Sequence, residues 1–151
     1  SPEMDGSMIA TFEASLARCL RHDGFLQTFY DKFLQSSPEV PRKFAGTDFD
    51  RQRKVLESSL YMVARAALGE EDGVEHLQHI AESHSRRRFD IGPSLYALWL
   101  DSLVATAREI DPEFDDHVEK CWRALLSANI DYMIDVYRRS RTTPPPRHPR
   151  T

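Results

Sequence analysis

"VEHLQHIAESHSRRRFDIGP", residues 74–93, is the stretch on which the reading of this chain turns. Leu77, Ile80 and His84 stand at i, i+3 and i+7 and therefore share one face of a helix. That face reads as the buried one, whereas His79, five residues from His84, points outward. A buried imidazole needs partners for both ring nitrogens. A backbone carbonyl one turn earlier can take one of them, and a metal or a second side chain must take the other. On geometry alone, a metal ligand and a satisfied core histidine remain open alternatives. Arg86, Arg87 and Arg88 follow, and Ile91-Gly92-Pro93 then turns the chain.

Helical periodicity continues on both sides. Residues 8–21 carry Ile9, Phe12, Leu16 and Leu20 on one stripe and close at Asp23-Gly24; residues 25–35 carry Phe25, Phe29 and Phe33. Pro38 and Pro41 limit residues 39–44 to a turn or two. A long helix is expected over 49–68, capped by Thr47 or Asp48, with Leu56, Leu60 and Val63 inward. Residues 69–73, flanked by glycines, read as a loop before a helix at 74–85. Pro93 opens a strongly apolar helix over 94–110, "IDPEFDD" turns the chain, and a last helix runs over 115–139. No segment reads as a strand, so the fold class is all-α. The uneven helix lengths argue against a simple four-helix bundle.

Composition narrows the function. At 151 residues the chain makes one domain with a sizeable core, and a net charge of −4 argues against a nucleic-acid surface. No apolar run approaches the roughly 20 residues of a membrane span. Two cysteines, Cys19 and Cys121, lie too far apart for a thiolate site, and a reducing cytoplasm is the expected setting. Residues 1–7 read as a cloning remnant and a disordered start, with the native chain beginning at Met4. Residues 8–139 form the domain, and the Pro/Arg-rich residues 140–151 form a disordered tail. The other histidines have ordinary readings. His22 suits a helix end, His117 lies beside acids in a first turn, and His148 is in the tail. His76 and His79, three apart, have no third ligand placed by sequence.

Four blocks of the chain resemble bacterial globins of the flavohaemoglobin and single-domain class. "TFYDKFLQSSPEVPRKF" (28–44) is similar to their second-and-third-helix region, and "IAESH" (80–84) to their proximal helix with its iron-ligating histidine. "IGPSLYALWLDSL" (91–103) and "CWRALLSANIDYMIDVY" (121–137) resemble the next turn and helix and the last helix. The resemblance spans about residues 8–138. It implies a globin fold of six to eight helices around haem b, iron protoporphyrin IX, with His84 as the metal ligand. It implies Phe44 stacked on the haem, Tyr30 and Gln52 as distal polar residues, and Val55 and Leu56 over the distal face. Ile80, Phe89, Ile91, Tyr96 and Trp99 would line the proximal side and the back of the pocket.

These roles agree with the chemistry. An apolar disc needs a dry wall and one strong nitrogen ligand. A phenol and an amide beside a gas ligand that gains negative charge make charge-assisted hydrogen bonds. The resemblance therefore implies reversible binding of O₂, NO or CO, supporting NO detoxification if an external reductase supplies electrons. The alternative is a gas or redox sensor signalling in trans, with a homodimer face on the last two helices around Met133 and Val136.

The chain also departs from the pattern. Two extra residues between His84 and Tyr96 suggest an additional turn over 86–89, so that only one of Phe89 and Ile91 faces inward. The arginines there read mainly as a solvated turn, with one available to a haem propionate. Asp131 and Asp135 sit on the helix that in this class carries a carboxylate partner for the proximal tyrosine, and no spacing selects either.

Overall fold

The computed structural model describes residues 5–85 and 90–142, and the described chain is helical throughout, with no strand among these residues. The helices are α1 Gly6–Leu20, α2 Phe25–Gln35, α3 Glu39–Lys43, α4 Phe49–Ala67, α5 Glu71–Ser83, α6 Pro93–Ile110 and α7 Asp116–Thr142. The all-α expectation stands.

The ends of these helices follow from local chemistry. Asp48 caps α4, its side chain accepting from the N–H groups of Asp50 and Arg51 at 3.1 and 3.3 Å. These are among the donors that a first helical turn leaves unpaired. Pro93 opens α6, where its missing N–H costs nothing. Asp5 caps α1 by accepting from Met8 N–H at 2.9 Å, so Gly6 and Ser7 are helical rather than part of an unstructured start. At the other end α7 continues through Thr142, three residues into the segment expected to lack structure. The tail beyond lies outside the described residues.

One expected loop is mostly helix. The chain between α4 and α5 is only residues 68–70, and Glu71, Asp72 and Gly73 already belong to α5. Glu71 and Asp72 supply negative charge to the first turn, which suits the helix dipole. Gly73 is there for space. A Cβ on it would stand 2.4 Å from Ala66 N and 2.6 Å from Arg65 C. The glycine lets the two backbones touch.

The helices stack so that α1 packs on α7 and α2 on α6, while α5 is held between α4 and α7. At the α1–α7 end the core is closed and hydrogen-bonded. The rings of Phe12 and Trp122 meet edge to face at 4.9 Å. The Trp122 indole N–H donates to Ser15 Oγ at 2.9 Å, and Ser15 in turn donates to Asp111 at 2.6 Å. The buried carboxylate also accepts from Arg18 Nε at 2.6 Å, Arg18 Nη2 at 3.0 Å and the Glu113 N–H at 2.9 Å. Removing one member of such a buried pair costs about 3–5 kcal/mol, because the other charge is left uncompensated. This corner ties α1, the end of α6 and α7 together, and the cavity lies elsewhere, between α4 and α5.

Candidate functional site

The two helices meet at Gly73 and Ala66. About two turns before Ala66 on α4, Ser59 Oγ and His76 Nε2 bridge them at 3.0 Å. From there the space between them is a cavity of about 380 Å³. Its walls come from α2, α3, α4, α5, α6 and α7, and most of its lining is apolar. Leu77 and Ile80 of α5 and Phe44, Ile91 and Trp99 elsewhere are only half-buried, and all of them line this space.

One wall is aromatic and carries a hydroxyl. Tyr30, Phe33, Phe44 and Phe49 form a cluster at the α2–α3–α4 corner. Phe44 meets Tyr30 and Phe33 edge-on at 5.9 Å, and Tyr30 meets Phe49 at 5.5 Å. Tyr30 is buried, and burial pushes its hydroxyl up to about 12, with Gln52 and Arg53 pulling the other way. The hydroxyl therefore stays a proton donor at any ordinary pH. Gln52 lies close enough to influence it, so the two polar residues singled out on this side share one patch of wall.

The other wall carries His84. This residue caps the C-terminus of α5, donating its N–H to the Ile80 carbonyl at 3.0 Å and accepting from the Ile91 N–H at 3.1 Å. Asp90 steadies the return of the chain. It adopts a left-handed φ of 52°, strained for a residue with a side chain, and it is clamped on two sides. Its carboxylate accepts from the Tyr137 hydroxyl at 2.7 Å, and its carbonyl accepts from Lys43 Nζ at 2.8 Å. The Ile-Gly-Pro turn is thus pinned to both α3 and α7.

His84 Nδ1 and the Tyr96 hydroxyl are 3.1 Å apart, and either can donate. The Tyr96 hydroxyl also stands 4.0 Å from Met133 Sδ, a weak acceptor. In the tautomer with its proton on Nδ1 the ring donates to the Tyr96 oxygen and keeps a lone pair on Nε2. No hydrogen bond among the described residues engages Nε2. Burial also drives the ring's protonation down to about 4, so the imidazole is neutral at pH 7. A neutral imidazole in that tautomer, with its lone pair beside an apolar cavity, is able to ligate a metal.

A metal held by this one imidazole would need further ligands of its own. No group of three or more His, Cys, Asp or Glu side chains stands together among the described residues, and one imidazole does not hold a bare ion. An iron held inside a flat apolar macrocycle needs one such protein ligand and a dry, disc-shaped space, which these residues fit.

A comparison with solved structures sharpens this. The chain superposes on protein PA3967 from Pseudomonas aeruginosa PAO1, described as structurally highly homologous to a human hemoglobin, with a TM-score of 0.82 and 34% sequence identity. The match covers 86% of this chain and 98% of that one. The chain belongs to the bacterial globins. No protein-family model matches it, and no curated protein does. Membership of the globins implies a haem-binding protein, and no helix among the described residues is long and apolar enough to cross a membrane.

Tyr30, Phe44, Gln52, Leu56, Ile80, His84, Ile91, Tyr96 and Trp99 all line the one cavity. Val55 lines it too, but at 42% exposed it sits on the rim rather than over the centre. Phe89 and the three arginines 86–88 lie outside the described residues. Met133, expected on an exposed dimer face, is half-buried and lines the cavity, because α7 turns that side of itself toward α5 and α6. Val136 is half-buried as well. Asp131 and Asp135 are both exposed, and Asp135 pairs with Arg139 at 3.0 Å. Neither reaches Tyr96.

Sequence reasoning did not assign Lys43, Thr47, Ser59, His76 and Met133 to the cavity wall, where all five stand. Two of these were within reach of periodicity. His76, Ile80 and His84 are four residues apart in succession, and Leu126, Ile130, Met133 and Tyr137 repeat the stripe on α7. Lys43 and Thr47 flank Phe44 in a polar corner that shows no such pattern.

Proposed function

We propose that this globin binds haem b between α4 and α5 and uses it to take up O₂ reversibly, with NO and CO as further ligands. The observation that carries the reading is the free Nε2 of neutral His84 in the same apolar cavity as the Tyr30 hydroxyl. Bound there, haem supplies an iron that accepts diatomic gases and changes oxidation state.

The chain's own residues do the rest. Tyr96 holds the His84 ring by its Nδ1–H, so that Nε2 points at one place only. Phe44, Leu56, Ile80 and Trp99 give an apolar envelope that excludes water. Tyr30 offers an O–H and Gln52 an amide N–H to a ligand that has gained negative charge, and such bonds are about twice as strong as neutral ones. Tight holding and slow release follow from two donors rather than one. If a separate reductase returns the iron to its ferrous state, the same enclosed pocket serves NO detoxification.

Absorption spectra of the ferric, ferrous, CO and O₂ forms test the reading. The wild-type protein is expected to take up one haem and bind both gases reversibly. His84→Ala should lose this behaviour and regain it when free imidazole is supplied. A protein that takes up no haem, or a His84→Ala variant with unchanged spectra, would overturn it.

A further inference from the structure

A ligating histidine ordinarily donates its second ring N–H to a carboxylate, a backbone carbonyl or water, and the strength of that acceptor tunes how strongly the ring donates to its metal. Here the acceptor is a phenol, Tyr96, at 3.1 Å from Nδ1. With the ring donating from Nδ1, the phenol's own proton is left to the thioether of Met133, 4.0 Å away. A thioether sulfur is a weak acceptor. The carboxylates nearest in sequence, Asp131 and Asp135, are both exposed.

We infer that Met133 is a positioning residue that sets the ligand character of His84: by ending the His84–Tyr96 chain on a thioether, it keeps the imidazole a neutral, weakly donating ligand. This rests on the haem reading above. A weak donor leaves electron density off the iron and favours its ferrous state, the form that carries a gas. A carboxylate at position 133 would accept strongly from Tyr96, draw the Nδ1 proton toward the tyrosine oxygen and stabilise the ferric state. The residue on one turn of α7 thus selects between reversible gas binding and chemistry that needs an electron-rich iron.

The test uses the haem-loaded protein with three variants and two readouts. One readout is the reduction potential, and the other is the iron–histidine stretching frequency of the ferrous form by resonance Raman. The wild-type frequency should fall with that of a neutral-imidazole haem measured alongside, not with an imidazolate one. Met133→Glu should raise the frequency and shift the ferric–ferrous balance at least tenfold toward ferric, which for one electron is about 59 mV. Met133→Gln, whose carbonyl also accepts better than sulfur, should shift both readouts the same way by less. In the Tyr96→Phe background Met133→Glu should lose its effect on the frequency, since the connecting hydroxyl is gone. An imidazolate-like wild-type frequency overturns the inference. So do Met133→Glu and Met133→Gln variants that bind haem through His84 yet leave frequency and potential unmoved. Failure of the wild-type protein to bind haem at all would instead strike the function proposed above.

Discussion

Acid should destabilise the haem-free globin through His84, and the size of the effect follows from its burial. In the folded chain the ring's protonation is pushed down from an ordinary 6.5 to about 4. Between those values the unfolded chain binds a proton that the folded chain refuses. Unfolding therefore becomes easier as pH falls through the unfolded value, and the loss is complete below the folded one. Near pH 5 the unfolded state gains about 2 kcal/mol from this group, and below about pH 4 it gains about 3 kcal/mol. Against a typical total of about 5–15 kcal/mol this is easily measured. Urea denaturation of the apoprotein at about pH 7 and about pH 5, for wild type and His84→Leu, isolates the contribution. His76, also pushed down by burial, titrates in both proteins and cancels in the comparison. The wild type should lose about 2 kcal/mol more than the variant over that interval. Equal losses in the two proteins would refute the burial of a neutral His84.

Two further outcomes are expected. Tyr30→Phe in the haem-loaded protein should speed O₂ release by about 10- to 100-fold in stopped-flow measurements, the equivalent of one charge-assisted bond, while leaving haem uptake intact; an unchanged off-rate would remove the hydroxyl from the ligand. Gly73→Ala should cost about 1–3 kcal/mol in urea denaturation, because its methyl meets the α4 backbone and pushes the two helices apart. It should also weaken haem retention, and a neutral result would mean that α4 and α5 do not depend on that contact.

Much of the fold was legible because its signals are local. Asp48, Pro93 and the prolines around α3 mark helix ends through bonds made or withheld within one turn. The α2 boundaries, Phe25–Gln35, coincide with the periodic stretch. The misread segment between α4 and α5 shows the limit of the same logic. Two nearby glycines signal a loop, yet only Gly69 serves one, with a φ of 75°. Gly73 answers to Ala66 across the helix interface, and no local pattern reports that. The cavity residues divide in the same way. His84, Ile80 and Leu56 stand on amphipathic stripes, whereas Lys43, at the end of the short α3, is brought to the site by a tertiary contact with the Asp90 carbonyl that no local pattern reports.

By itself the sequence determined most of the helices and the inward face of α5, with a histidine at its end before a proline turn. These follow from the 3.6-residue period and from capping, which act within a turn or two. Only the tertiary structure decided what stands behind that histidine. Tyr96 and Met133 are 37 residues apart and lie on different helices. Whether they meet depends on how α6 and α7 are rotated about their axes and how they cross, set by packing over the whole core. That rotation turned Met133 inward and both neighbouring aspartates outward, and with them the acceptor that governs His84.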